Sequence, residues 1–453
     1  MTYRFDKGTL YSERKIVVLE SKVPVADWKT YKKFADSVGV GNEVYVQLRR
    51  ATGETAAVTA ASGTGSANSQ LQQIYSQLED AYQYGRLTEM DALLKRMQEI
   101  NPKAPRLLAW EGAVAVLHHH LQEGIDDNRK ELAAFPEEYD RYGAIVSIQM
   151  QQRDRAGAEE TLREWAKANP ADPQPLMQLS GLLTLDGKFP ESVQAAKDAV
   201  SRVPAGSDKH GQAVLLLGNA QMKAGMKEDG HATLRGLLQT TDDPELMNDA
   251  AFELADAKQE LPLDEAKERV ALDKLTTETE SWTLDESAQT LRAKTSLLVA
   301  SWDTMGWILF REGKPAEAKP FIEAAWMNSP KPDLKEHLDA VNAALGVKPA
   351  ARYKLPKADI TVTADAIGQQ ARTFPLGPAQ GLQGVAEYRL LLSHGKVERI
   401  EPAGEKKLDG AEAMVKAADL NKLFPNGSQA KLVRGAMVNC YNGKCLLLFE
   451  PLM

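Results

Sequence analysis

Four prolines, Pro102, Pro136, Pro170 and Pro204, each stand 34 residues from the next. A fixed period of this length marks a stacked array whose unit is one supersecondary element, unable to bury its apolar face alone. Proline suits a unit boundary because its fixed φ and missing N–H stop a helix. The period predicts a mainly α chain of repeated helix pairs. Large residues are expected where units stack, and small ones where the two helices of a unit cross.

The fullest copy runs from Trp302 through Met305, Gly306, Leu309, Gly313, Ala318, Ile322 and Ala325 to Pro330. At those positions it resembles the tetratricopeptide repeat family. A second copy has Leu176, Leu179, Ser180, Leu183, Gly187, Ser192, Ala196, Ala199 and Pro204. Others read Ile74, Gly85, Leu94, Met97, Pro102; Tyr142, Ile145, Ala158, Leu162, Trp165, Pro170; and Val214, Leu217, Gly218, Gly225, Leu234, Leu237. The copy ending at Pro136 keeps Leu108 and Gly112 but puts Asn128 and Glu131 where apolar residues belong, so its second helix is expected to be out of register. Residues 244–300 leave the period. Asp249–Ala255 and Leu263–Val270 read as a degenerate helix pair, and Glu286–Glu312 as one long helix of about 40 Å.

The solenoid, residues 70–348, is bracketed by different material. Residues 51–69 are small and polar without hydrophobic periodicity and read as a flexible linker. Before them, residues 1–50 form a β-rich module with strands at Thr2–Phe5, Leu10–Glu20 and Glu43–Leu48, and helical spacing in Trp28, Tyr31, Ala35 and Val38. In residues 349–453 the period becomes two. Val385–Ser393 and Lys396–Pro402 flank His394-Gly395, Gly410–Leu420 reads as a helix, and Lys431–Asn439 and Lys444–Glu450 flank Asn442-Gly443, a small ββαββ domain. The predicted fold is a tetratricopeptide-type α-solenoid with a small β-rich or α+β module at each end.

The net charge of −8 opposes binding to a phosphate backbone, and no basic stripe overrides it. No segment approaches the about 18 uninterrupted apolar residues of a membrane span. The sequence contains no phosphate-binding loop, dinucleotide fingerprint, metalloprotease motif or nucleophile elbow, so an enzyme, a cofactor and a metal site are not expected. His118-His119-His120 reads as a polar helix segment, because consecutive helical residues point about 100° apart and cannot share one ion. The two cysteines, Cys440 and Cys445, flank a two-residue turn that sets them opposite each other. A disulfide is feasible there, with two facing thiols as the alternative.

Residues 2–50, with Lys15-Ile-Val-Val-Leu-Glu and Val23-Pro-Val-Ala-Asp-Trp, resemble the tail of the β-rich domain of large bacterial transglutaminase-like proteins. Residues 384–452, from Gly384-Val-Ala-Glu-Tyr-Arg, resemble the C-terminal module of that architecture and distantly a TonB C-terminal domain. The transglutaminase resemblance implies a remnant of a larger domain at the start and export to the periplasm or cell envelope. No leader is visible here, and the cytoplasm is the alternative. It also leaves the chain without a catalytic cysteine, as an accessory arm of an enzyme encoded upstream. The TonB resemblance implies an envelope energy-coupling or wall-contact module.

The tetratricopeptide resemblance implies a scaffold whose concave groove holds a peptide or partner protein. Carried over by position, the groove residues are Tyr75, Glu79 and Tyr82; Ser147, Met150 and Gln151; Met177 and Thr184; Asn219, Met222 and Lys223; and Asp303, Trp307, Phe310 and Arg311. Their aromatic, methionine-rich character implies an apolar partner segment, although each aromatic could instead pack between repeats.

Overall fold

The computed structural model describes residues 5–7, 17–21, 46–50, 67–83, 85–347, 373–404, 408–450 and 452. The chain divides into two compact units, residues 1–64 with 285–290 and residues 65–284 with 291–453. In the first, β1 (Phe5–Lys7), β2 (Val17–Ser21) and β3 (Val46–Arg50) form a sheet in that order. β1 and β2 run antiparallel, β2 and β3 parallel. A parallel pair needs a crossover. The helical stretch expected between Trp28 and Val38 falls within it, outside the described residues. The expected linker also lies outside them up to residue 66, while Ala67 to Ser69 already belong to the first helix.

Among the described residues seven helix pairs follow. They are α1 (Ala67–Gln83) with α2 (Leu87–Ile100), α3 (Leu107–Leu117) with α4 (Leu121–Ala134), α5 (Asp140–Gln151) with α6 (Arg155–Ala168), and α7 (Gln174–Leu185) with α8 (Phe189–Arg202). Next come α9 (Asp208–Lys223) with α10 (Lys227–Thr240), α11 (Pro244–Asp256) with α12 (Leu261–Thr279), and α13 (Ala288–Arg311) with α14 (Pro315–Asn328); α15 (Pro332–Ala344) closes the array. The expected degenerate pair is thus α11 and α12, and the expected long helix is α13.

The backbone repeats as strictly as the helices. Within each pair the first helix ends on a hydrogen bond spanning five residues: Arg86 N to Ala81 O, His120 to Ala115, Asp154 to Gln149, Lys188 to Leu183, Met226 to Gln221, Gln259 to Leu254 and Lys314 to Leu309, at 2.8 or 2.9 Å. This Schellman closure needs a left-handed residue just before the donor. Gly85, Gly187, Gly225 and Gly313 supply it in four pairs; His119, Arg153 and Lys258 occupy it in the other three. The histidine cluster is therefore the turn between α3 and α4 and not a helix segment. His118 lies 3.3 Å from Asp91 and His120 3.3 Å from Glu123, and the two imidazoles stack with ring centroids 6.2 Å apart. At the far end of four pairs the prolines act as expected: Pro102, Pro136, Pro170 and Pro330 follow residues whose N–H makes the last bond of α2, α4, α6 and α14.

Small residues sit where paired helices cross. A Cβ on Gly306 would lie 2.5 Å from Ile322 Cγ1 and 3.1 Å from Ala318 O, so α13 and α14 approach at a residue with no side chain. At the equivalent crossing of α7 and α8, Ser192 Oγ donates to Ser180 O at 2.9 Å. The structure corrects the expectation for α4, which is in register. Asn128 and Glu131 are buried among Ile125 and Leu132, and one polar atom of each is engaged, while Asn128 Oδ1 and Glu131 Oε2 have no hydrogen-bond partner among the described residues. Asn128 Nδ2 donates to Gly124 O at 2.7 Å, and Glu131 accepts the backbone N–H of Arg106 at the start of α3. Glu131 thus caps the partner helix, where an apolar residue would only fill space.

The last segment is a five-stranded antiparallel sheet of order β4-β8-β7-β5-β6, made of β4 (Thr373–Pro378), β5 (Gly384–Ser393), β6 (Lys396–Pro402), β7 (Lys431–Tyr441) and β8 (Lys444–Phe449). Both predicted hairpins form, with His394-Gly395 and Asn442-Gly443 all at positive φ. Two features depart from the ββαββ expectation. β4 adds an edge strand, although Pro375 and Pro378 argue against a strand; an edge tolerates their missing N–H groups. The expected helix shortens to α16 (Ala411–Lys416), because Leu420 N bonds Gly395 O in the β5–β6 turn at 3.0 Å instead of continuing the helix.

The sheet and the end of the solenoid share one hydrophobic core, in which Trp302, Leu298 and Ala324 join Leu390, Val433 and Phe424. Arg434, 1% exposed, ties them polarly. Its guanidinium donates to Asn328 O at 3.2 Å, to Asn328 Oδ1 and to Glu450 O, while Asn328 Nδ2 reaches Leu423 O at 2.8 Å. A cation at the last residue of α14 also meets the negative end of that helix.

Candidate partner-binding face

The first helices of five pairs, α1, α5, α7, α9 and α13, carry the residues expected to face a partner, and the structure sorts them into three groups. Glu79, Tyr82, Ser147, Met150, Gln151 and Lys223 are exposed. Tyr75, Met177, Thr184, Asn219, Met222, Phe310 and Arg311 are half-buried. Asp303 and Trp307 are buried.

Several of the half-buried group are already committed. The Tyr75 hydroxyl donates to Pro105 O, and burial, joined by the charge of Glu131, holds its pKa above the usual phenol value. Thr184 Oγ1 donates to Ser180 O at 3.0 Å. Met222 lies across Gly230, where a Cβ would come within 2.8 Å of its sulfur, so it packs inside its own pair. Asn219 keeps a buried Oδ1 without a hydrogen-bond partner among the described residues.

At the α13 end the expected groove is filled. His337 of α15 stacks on Trp307 with ring centroids 4.1 Å apart, and its Nδ1 lies 2.9 Å from Asp303 Oδ2. Arg311 sits over the same indole at 5.3 Å and donates to Ala255 O at 3.1 Å. Asp303 and Trp307 therefore hold α13 to α15 and are not open to a ligand, a correction to the position-by-position expectation. The cause is that α15 packs where the next first helix of the array would stand.

The first four pairs are different. Each presents one exposed, large apolar side chain in the last turn of its first helix: Tyr82 (52% exposed), Leu117 (37%), Met150 (38%) and Leu185 (65%), spaced 33 to 35 residues along the chain. Tyr82 leans edge-on against Trp110 of α3 at 6.0 Å, which orients it without covering it. Sequence reasoning named Tyr82 and Met150 but missed Leu117 and Leu185. A signal was present: Leu185 stands where Lys223 and Arg311 stand in their own copies, and Leu117 holds the same place in the copy read as irregular. Isolated exposed leucines are ordinary, but an exposed large apolar residue in the last turn of four successive first helices is not.

No protein-family model matches the chain, and no curated protein matches it. Among solved structures, it is similar to a tetratricopeptide repeat protein from Parabacteroides merdae (15% identity, TM-score 0.39, covering 60% of this chain and 99% of that one). It is also similar to YrrB, described as a TPR protein with an unusual peptide-binding site (19% identity, TM-score 0.30, 40% and 85%). A third is a MamA fragment from Desulfovibrio magneticus (15% identity, TM-score 0.31, 38% and 94%).

Proposed function

We propose that the chain is a non-catalytic protein-interaction scaffold that binds an apolar face of a partner protein along the first helices of its first four pairs. The observation that carries this reading is the series Tyr82, Leu117, Met150 and Leu185, one exposed large apolar side chain in the last turn of each of the first four first helices. Packed helices stand roughly 8–10 Å apart. A partner helix repeats its apolar face every seven residues, roughly 10.5 Å, so one apolar residue per heptad matches one residue per pair. The His337 cluster closes the seventh pair to the partner on this reading. The sheet module takes part through the core it shares with the solenoid; strand addition is disfavoured because Pro375 and Pro378 blunt one edge and Lys396, Glu398, Arg399 and Glu401 charge the other.

Site-specific photocrosslinking tests the proposal. A photoreactive phenylalanine at Tyr82 or Leu185 should give the same partner adduct in cells that make the protein, and one at Glu160 should not. Equal adducts from all three sites, or none from the row, would refute it. The Cys440–Cys445 disulfide supports an oxidising compartment. Alkylation of the freshly lysed protein under denaturing conditions should then add no mass at either cysteine.

A further inference from the structure

The C-terminal sheet has one face in the core and one in water. On β7, Val438 and Cys440 point inward, beside Ala386 of β5 and Cys445 and Leu447 of β8, none more than 1% exposed. Successive residues alternate between faces, so the positions between these share the outer face. A solvated sheet face is ordinarily polar. Around Asn439 this one is not. Val385 (37% exposed) and Leu446 (41%) flank Asn439 across the strands, and Met437 and Tyr441 (63%) flank it along β7. Single exposed apolar residues need no explanation, but a contiguous patch marks a contact surface. The same face is already buried further along: the paired Leu391 and Val433 are 4% and 7% exposed, within the core shared with the solenoid. The patch continues that buried surface beyond the point where the solenoid covers it.

Two charges indicate what fits the open part. Glu387 stands one strand from Asn439 on β5, opposite Met437; Lys444 stands one strand away on the other side, on β8, opposite Tyr441. They are therefore diagonal to each other across Asn439. Both are exposed, and neither has an ion pair among the described residues. A second copy can be laid face to face about a two-fold axis that lies in the sheet plane, passes over Asn439 and runs perpendicular to the Glu387–Lys444 diagonal. With strands about 4.8 Å apart and same-face residues about 6.8 Å apart along each strand, the two sets of strands cross at roughly 70°, close to the orthogonal class of sheet packing. Glu387 of each copy then lies over Lys444 of the other, Val385 over Tyr441, and Leu446 over Met437. The two Asn439 amides, each donor and acceptor, meet on the axis. Opposite signs at positions that a two-fold axis exchanges are what a self-contact requires, since like charges there would repel.

We propose that the outer face of the C-terminal sheet is the contact between two copies of this chain, packed face to face across a two-fold axis at Asn439. The patch measures roughly 10 Å by 14 Å between its outer side-chain positions, smaller than the roughly 800 Å² per partner of a standard interface, so the dimer forms at micromolar concentration or above. No residue of the first helices takes part, and the failure of either reading leaves the other standing. A dimer joined in this way carries two copies of the first-helix site, which adds avidity toward a partner that presents two apolar segments.

The test is sedimentation velocity of the full chain from micromolar to near-millimolar concentration, where a monomer–dimer equilibrium is expected. Leu446→Lys should weaken association about tenfold or more, and Leu185→Lys, on the first-helix face, should leave it unchanged. Glu387→Lys and Lys444→Glu should each weaken it about tenfold, because each sets like charges together twice. An equimolar mixture of those two variants should associate as tightly as the unmodified chain, since every mixed pair restores both opposite-charge contacts. A chain that stays monomeric at near-millimolar concentration, a dimer that is insensitive to Leu446→Lys or lost with Leu185→Lys, or no recovery in the mixture would overturn the proposal.

Discussion

His119, Arg153 and Lys258 adopt the left-handed turn that glycine fills in the other pairs, at φ of 65°, 63° and 56°. Each non-glycine residue there carries a steric cost that exceeds the entropic cost of glycine. His119→Gly, Arg153→Gly and Lys258→Gly should each stabilise the chain by about 0.5–1 kcal/mol, read as a rise in the urea midpoint. Asp264 works in the opposite sense. It is fully buried on α12, both carboxylate oxygens lack hydrogen-bond partners, and burial with the charges of Glu260 and Glu312 raises its pKa to about 8. A carboxyl whose folded pKa is raised leaves stability intact below its unfolded value of 3.8, then drains it as pH climbs toward about 8. Glu268, one turn further along α12 and also fully buried, is held well above the usual value by burial, with the charge of Asp249 adding to it and the Ser301 hydroxyl opposing it. Asp264→Asn should therefore flatten the fall in stability between acid and pH 8, a difference on the order of a few kcal/mol at the alkaline end. Urea titrations at a series of pH values would show it.

Helical glycines divide by what surrounds them. Gly181 in α7 and Gly236 in α10 have nothing within 4 Å of an added Cβ, whereas Gly306 faces Ile322 and the backbone of α14. Gly181→Ala and Gly236→Ala should each stabilise by about 0.5–1 kcal/mol through helix propensity, and Gly306→Ala should destabilise by about 1–3 kcal/mol through overpacking. Thermal melts of the three variants would separate the two signs. The Gly306 crossing was legible in the sequence because the whole copy around it matched. The register of α4 was not. Asn128 and Glu131 break the apolar pattern; Asn128 turns its amide back onto Gly124 O of its own helix, and only the nearby start of α3 shows that Glu131 has a backbone N–H to accept. α16 likewise stops early for a reason beyond the preceding strand, the Gly395 carbonyl that takes the Leu420 N–H.

For the whole chain, the junction of solenoid and sheet is the point of greatest consequence. Arg434→Met would leave Asn328 and Glu450 carbonyl groups without their donor in a buried setting, at a cost of about 2–4 kcal/mol. Hydrogen exchange should then rise across residues 411–452 and stay unchanged in α1 to α8; a uniform response would mean that the sheet is not docked through this contact. By itself the sequence determined the repeat period, the helix pairs, both tight hairpins and the facing cysteines. Each follows from local stereochemistry: proline at boundaries, glycine or asparagine at positive φ, and apolar residues at fixed spacing. Only the tertiary structure decided that Asp303 and Trp307 are closed by His337, that Tyr82, Leu117, Met150 and Leu185 are left exposed, and that Arg434 joins sheet to helix. Those outcomes depend on which residues from distant copies meet, and a residue's exposure is set by its neighbours in space, which position within a repeat does not specify.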